Sequence, residues 1–154
     1  MQTVEFKKIK IQNLTAIKQL WEDLNRVHLE DSVYFKEYYE TFSFDKRSES
    51  WRKLQEENFY LLIAEAEDSG AIAYCVSTID ADRKGEIDSL FVSPEYRRRG
   101  IGETLLKSSM EWLRVSKCKP IRLAVSYGHE SVLGFYQKLR FYPRLTVLEL
   151  KEND

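Results

Sequence analysis

Three arginines followed by Gly-x-Gly, at Arg97-Arg98-Arg99-Gly100-Ile101-Gly102, are the residues of this 154-residue chain whose types and spacing most directly imply chemistry. The run Glu86–Val92 before them looks like a strand, and Ser93-Pro94 ends it. After them, Ile101, Leu105, Trp112 and Leu113 mark the buried side of a helix from Gly100 to about Lys117. The first N–H groups of a helix lack internal partners, and the helix dipole favours an anion there. Gly100 and Gly102 have no Cβ, so a ligand can come close to the backbone. Together these features make a cradle for a phosphate or pyrophosphate, to which the arginines add attraction and direct contacts. A solvated turn, with Gly102 as a packing residue, is the plainer reading of the same residues. GxxxxGK[ST] is absent, and GxGxxG fails because Leu105 stands where its last glycine belongs.

The elements that must position this turn are legible along the chain. Residues 3–10 alternate like a strand, and Asn13 is suited to cap a helix with apolar positions Leu14, Ile17, Leu20, Trp21, Leu24 and Val27. Residues 30–54 are aromatic and acidic and predict one or two short helices with an irregular join near 43–48. Strands are expected at 59–65, 71–79, 86–92, 121–125 and about 144–150, with a helix from about Glu130 to Leu139. The order β-α-α-β-β-β-α-β-α-β predicts an α/β layered domain with helices on both sides of one sheet. No internal repeat or Pro/Gly/Ser-rich linker divides the chain, so residues 1–154 are expected to form one domain.

Composition narrows the function classes. Apolar residues make up 43% and charged residues 32%, the balance of a globular protein and not of a disordered one. A net charge of −1 argues against a non-specific nucleic-acid binder, which needs an extended basic face. Cys75 and Cys118 form no CxxC or metal-type cluster, so reduced thiols, no metal and a cytoplasmic location are expected. The chain start lacks the apolar run of a signal peptide, and no segment approaches the roughly 18 apolar residues of a membrane span.

The stretch E86-I-D-S-L-F-V-S-P-E-Y-R-R-R-G-I-G-E-T-L-L106 resembles the acyl-CoA-binding signature of the GNAT superfamily of N-acetyltransferases, whose core is [QR]-x-x-G-x-[GA] after a strand ending in L-x-V. A second match follows at the expected distance: H129-E-S-V-L-G-F-Y-Q-K-L-R-F141 looks like the family's helix N-x-x-A-x-x-F-Y-x-K-x-G-F. The resemblance covers about residues 3–150, with 28–57 alike in kind only. It implies a mixed, mostly antiparallel sheet of six to seven strands, about four flanking helices and a splayed acyl-CoA-binding cleft. The cosubstrate it implies is acetyl-CoA. Backbone groups of Leu90, Phe91 and Val92 would hold the pantetheine arm like an added strand. Arg97, Arg98, Arg99, Gly100, Ile101, Gly102, Glu103 and Thr104 would surround the pyrophosphate.

An amine must be neutral to attack a thioester, yet a lysine-like amine has a pKa of about 10.4 in water. The site must therefore remove a proton, stabilise an oxyanion and protonate or shield the leaving thiolate. The resemblance puts Tyr136 beside the sulfur as proton donor; a core aromatic on an amphipathic helix is the alternative. Glu86 matches the position where some members carry a glutamate base, and others rely on ordered water. Glu86 and Asp88 lie two apart and are expected on one strand face, shared with Leu90 and Val92. His129 stands where the family commonly has an asparagine at the pantetheine. Arg140 replaces a glycine, so that corner is expected to be reshaped.

For the acceptor, Glu30, Asp31, Glu37, Glu40 and Asp45 suggest a small cationic amine, unless they are merely solvated helix faces. A protein N-terminal or lysine acetyltransferase and a catalytically silent acyl-CoA-binding domain stay open, as does a homodimer. No nucleic-acid or membrane partner is expected.

Overall fold

The computed structural model describes residues 2–152. Strand β1 (Val4–Ile9) leads through a 3₁₀ turn (Ile11–Ile17) into α1 (Lys18–Asp31), α2 (Lys36–Thr41) and α3 (Phe44–Arg52). There follow β2 (Phe59–Ala66), β3 (Gly70–Ile79), β4 (Gly85–Val92), α4 (Ile101–Val115), β5 (Ile121–Leu123) and α5 (Leu133–Lys138). The described residues thus hold one open five-stranded sheet, in order β1-β2-β3-β4-β5, and five α-helices. Six to seven strands and about four helices were expected. The strand count falls because 144–150 joins no sheet. The helix count rises because the aromatic segment splits into α2 and α3.

Local chemistry accounts for two boundaries that differ from expectation. Asn13 caps nothing: its φ of −109° and ψ of 29° break the 3₁₀ turn, and α1 begins at Lys18. The join expected at 43–48 is instead a helix start, where the Ser43 hydroxyl accepts a hydrogen bond from the Lys46 N–H at 3.2 Å.

Helices cover both faces of the sheet. Leu62, Cys75 and Ile87 pack against Leu105, Leu106 and Leu113 of α4. On the other face, Leu61, Tyr74 and Val76 pack against Leu14, Trp21 and Trp51. Each such fully buried side chain contributes roughly 1.5–3 kcal/mol by leaving water. The sheet is thereby a rigid platform for its own end.

Two irregularities in β4 shape that end. Val76 opposes Ser89 but Ser77 opposes Ile87, so β4 carries one extra residue there, a β-bulge. The bulge switches the face of every later side chain. Asp88 reaches Trp51 of α3, while Leu90 and Val92 pack on the α4 side. The expectation that Glu86 and Asp88 share a face with Leu90 and Val92 is therefore corrected. Second, β5 runs parallel to β4 for only three pairs, Gly85–Ile121, Glu86–Arg122 and Ile87–Leu123. Beyond Ile87, among the described residues, β4 has no strand beside it on that side.

Candidate active site

Where β4 and β5 part, a cleft of about 1080 Å³ opens. Its floor is β4 from Glu86 to Val92, and its far wall is β5's continuation (Leu123–Ser126) with α5. One rim is the start of α4 (Gly100–Glu103), and the opposite rim is α1 and α2 with His28, Tyr38 and Tyr39. Of the residues singled out from sequence, Glu86, Leu90, Phe91, Val92, Arg97, Arg98, Gly100, Ile101, Gly102, Glu103, His129 and Tyr136 line this one cleft. Arg99 and Thr104 do not.

The α4 end explains how the turn works. Gly100 caps the helix in the left-handed region at φ 79°, a conformation that disfavours any side chain. Its carbonyl accepts from the Thr104 N–H and hydroxyl, both at 3.0 Å, so Thr104 has no amide to offer. The N–H groups of Ile101, Gly102 and Glu103 belong to the first turn and have no helical partner. Arg97 is spent inside the turn: its Nε donates to the Val92 carbonyl at 2.8 Å, and its guanidinium lies over Phe91. Arg99 likewise lies over Tyr96. Glu103 is paired with Lys107 at 2.9 Å, which offsets its charge beside the anion cradle.

The two carboxylates of β4 divide their tasks. Asp88 pairs with Arg47 at 2.9 Å and accepts from the Trp51 indole N–H at 2.8 Å. It is a structural anchor between sheet and α3. Glu86 has neither an ion pair nor a hydrogen bond among the described residues, and it faces the cleft half-buried. Loss of water raises its pKa above the usual carboxylate range, helped by the charge of Asp88 and opposed by Arg122 and Arg47. A free carboxylate with a raised pKa is suited to accept a proton. Burial likewise raises the Tyr136 phenol, which therefore stays protonated.

Sequence reasoning missed a cluster at the opposite rim. His129 Nδ1 meets Asp31 Oδ2 at 2.8 Å, tying the start of α5 to the end of α1. The His28 ring lies edge-on to His129, and its Nδ1 is buried without a partner. Beside them the Tyr39 hydroxyl donates to the Ser126 hydroxyl at 2.8 Å across the cleft. Asp31 and His129 are 98 residues apart, so no local pattern signals their contact. Burial, with the nearby His129, depresses His28 to about 4 from 6.5. Its neutral form is the native one, so its contribution to stability is full above about 6.5 and is lost as pH falls towards 4. We expect His28→Gln to flatten urea-unfolding stability over that window relative to the parent chain.

The acidic residues read as an acceptor attractant, Glu30, Asp31, Glu37, Glu40 and Asp45, do not line the cleft, whose carboxylates are Glu86, Asp88 and Glu103. Nor is the Arg140 corner reshaped: Arg140 adopts φ 73°, the left-handed geometry of the glycine it replaces. Cys75 is fully buried, its thiol pushed up to about 11 by that burial, and it is no nucleophile.

The model of the acetyltransferase (GNAT) family matches residues 17–141, and the chain belongs to that family. It is 26% identical over 120 residues to an uncharacterised N-acetyltransferase of Methanocaldococcus jannaschii, covering 71% of this chain and 53% of the relative. It is 31% identical over 88 residues to a putative [ribosomal protein bS18]-alanine N-acetyltransferase of Bacillus subtilis, covering 56% and 58%. The chain thus spans about half the length of these curated relatives. Among solved structures, the PaiA N-acetyltransferase of Thermoplasma acidophilum in complex with coenzyme A is 25% identical, with a TM-score of 0.68 over 89% of this chain and 88% of that one. No helix of the described residues is long and apolar enough to cross a membrane.

Proposed function

We propose that residues 1–154 form one acyl-CoA-dependent N-acetyltransferase domain, which passes the acetyl group of acetyl-CoA directly to a primary amine in a ternary complex. The observation that carries this reading is that the unpaired amides of the α4 start, Glu86 and Tyr136 all line one cleft. The N–H groups of Ile101–Glu103 would take the pyrophosphate, with Arg98 beside them. The open side of β4 at Leu90–Val92 would hydrogen-bond the pantetheine arm as a strand would. The coenzyme A complex of the Thermoplasma relative supports the same cosubstrate.

Glu86 takes the proton of the incoming ammonium, and the freed nitrogen lone pair attacks the thioester carbonyl carbon. The tetrahedral oxyanion then collapses, the C–S bond breaks, and the thiolate leaves with the proton of Tyr136. The second proton of the acetylated nitrogen passes to the Tyr136 phenolate, while Glu86 releases its proton to water. Tyr136→Phe should lower kcat by about tenfold, below the usual contribution of about 10²–10⁴-fold for a positioned acid, because a thiolate of pKa about 8.5 leaves without full protonation. Undiminished kcat would remove the donor role.

The acceptor is a small cationic amine, drawn by Glu86 within an aromatic rim of Tyr38, Tyr39 and Phe42. A protein amino terminus is the second reading, supported by the description of the Bacillus relative. Coenzyme A thiol release from acetyl-CoA across polyamines, amino sugars and N-terminal peptides tests both. Turnover with any of these amines supports transfer; binding of acetyl-CoA without turnover would leave a silent acyl-CoA-binding domain.

A further inference from the structure

Arg47 lines the cleft, yet acetyl transfer as described uses it only to fasten Asp88. Helix α3 carries it. Its Nη2 donates to the Asp88 carbonyl at 3.2 Å and meets Asp88 Oδ1 at 2.9 Å, and its guanidinium carbon lies 4.7 Å from the centre of the Trp51 ring. These contacts fix the group without exhausting it. A guanidinium carries five N–H donors. Among the described residues Nε and Nη1 have no hydrogen-bond partner, and neither is sealed from water.

Glu86 shares that side of the sheet. Ile87 packs towards α4, so its neighbours Glu86 and Asp88 turn the other way, where Trp51 meets Asp88. Two residues of strand span roughly 6.6 Å, which sets the guanidinium on Asp88 close to the Glu86 carboxyl. Its charge acts there, opposing the raised pKa of Glu86, as does that of Arg122. A second ammonium, as in a polyamine, would meet both cations. Coenzyme A and an acceptor filling the cleft would also expel the water that serves the free N–H groups of Arg47. A charged donor left dry and unpaired is costly, and an oxyanion beside the acceptor's amine removes that cost.

We propose that the acceptor is an α-amino acid, with Glu86 receiving its ammonium and the free N–H groups of Arg47 its carboxylate. The amine nitrogen and carboxylate carbon of such a molecule are two bonds of about 1.5 Å apart. A charge-assisted hydrogen bond of about 2.8 Å at each end lets it bridge Glu86 and Arg47. Asp88 and Trp51 are then positioning residues that hold the guanidinium. Beyond it the cleft is walled by Trp21, Leu24, Val27 and Phe42, which suit an apolar side chain. This acceptor presupposes the acetyl transfer proposed above and narrows the amine it takes.

Acetylation of L-leucine, L-leucinamide and isoamylamine by the full chain tests it. The three share a side chain and differ in carrying carboxylate, carboxamide or hydrogen beside the amine. With each rate referred to the neutral amine present, kcat/KM for leucine should exceed that for isoamylamine by at least about 100-fold, with leucinamide between, because a site built to hydrogen-bond its substrate rejects the analogue lacking that group. Arg47→Gln should collapse the ratio towards one; if that variant fails to fold, the parent's three rates decide alone. Isoamylamine or leucinamide acetylated as well as leucine would overturn the assignment and leave acetyl transfer standing. So would a leucine preference that survives in folded Arg47→Gln, or turnover of polyamines without turnover of leucine. Absence of thiol release with every amine would instead strike acetyl transfer itself, and this acceptor with it.

Discussion

Replacing Glu86 by glutamine lowers kcat for amine acetylation by about 10²–10⁴-fold, the usual contribution of a positioned general base. Glutamine keeps the volume and removes only the basic oxygen. Glu86 has no ion-pair or hydrogen-bond partner among the described residues, so the substitution breaks no contact and should leave stability nearly unchanged. The effect also has a pH signature. A base works in its deprotonated form, so kcat/KM rises with pH through the pKa of Glu86. Desolvation puts that limb above the ordinary glutamate value of about 4.3. Glu86→Gln should abolish the limb together with the rate. A variant that keeps the parent's kcat and its acid limb would show that water or another group is the base. Asp88→Asn makes the useful contrast: it removes the charge that pairs with Arg47 and should lower stability.

The second large effect is expected at Gly102. A Cβ there would lie 3.4 Å from Val92 Cγ2 and 3.5 Å from Phe135 Cζ, in ordinary contact with both. An indole cannot stop at that contact, and it extends into the cleft between the α4 start and α5. We expect Gly102→Trp to weaken coenzyme A binding by at least about 100-fold, equivalent to about 2.7 kcal/mol. Calorimetric titration measures it, with the melting temperature as control for folding. Affinity equal to the parent's would remove the pyrophosphate from the α4 end. The arginines should matter less individually. Arg97 and Arg99 already hold Val92, Phe91 and Tyr96, so Arg98 is the member of the triplet that lines the cleft without such a bond.

These contrasts show which parts of the site a linear reading reaches. The turn at Arg97–Gly102, the strand before it and the helix after it were legible because each is a local pattern with a local cause. Glu86 and Tyr136 were reachable through the two motifs that flank the cleft. The face of Asp88 was not. A bulge arises from pairing with β3, and strict alternation along β4 alone hides it. The Asp31–His129 contact and the lone His28 nitrogen depend on α1 meeting α5 across the cleft. Acidic residues of 30–45 looked like an acceptor attractant because composition carries no direction; none of them lines the cleft, and Asp31 at its rim is taken up by His129. Arg140 shows the converse: tertiary context imposes a left-handed backbone on a residue that by itself avoids it. The strand expected at about 144–150 does not form, because the apolar residues there find no place in the sheet of this chain.

The acyl-CoA cleft is tested most directly by following the backbone amide resonances of the full chain while coenzyme A is added. Saturable shifts should concentrate at Ile101–Glu103 and along Leu90–Val92, with smaller ones at Tyr136 and none on the far edge at β1. Saturable shifts confined to other surfaces, or no shifts at millimolar coenzyme A, would contradict the assignment of this cleft to the cosubstrate.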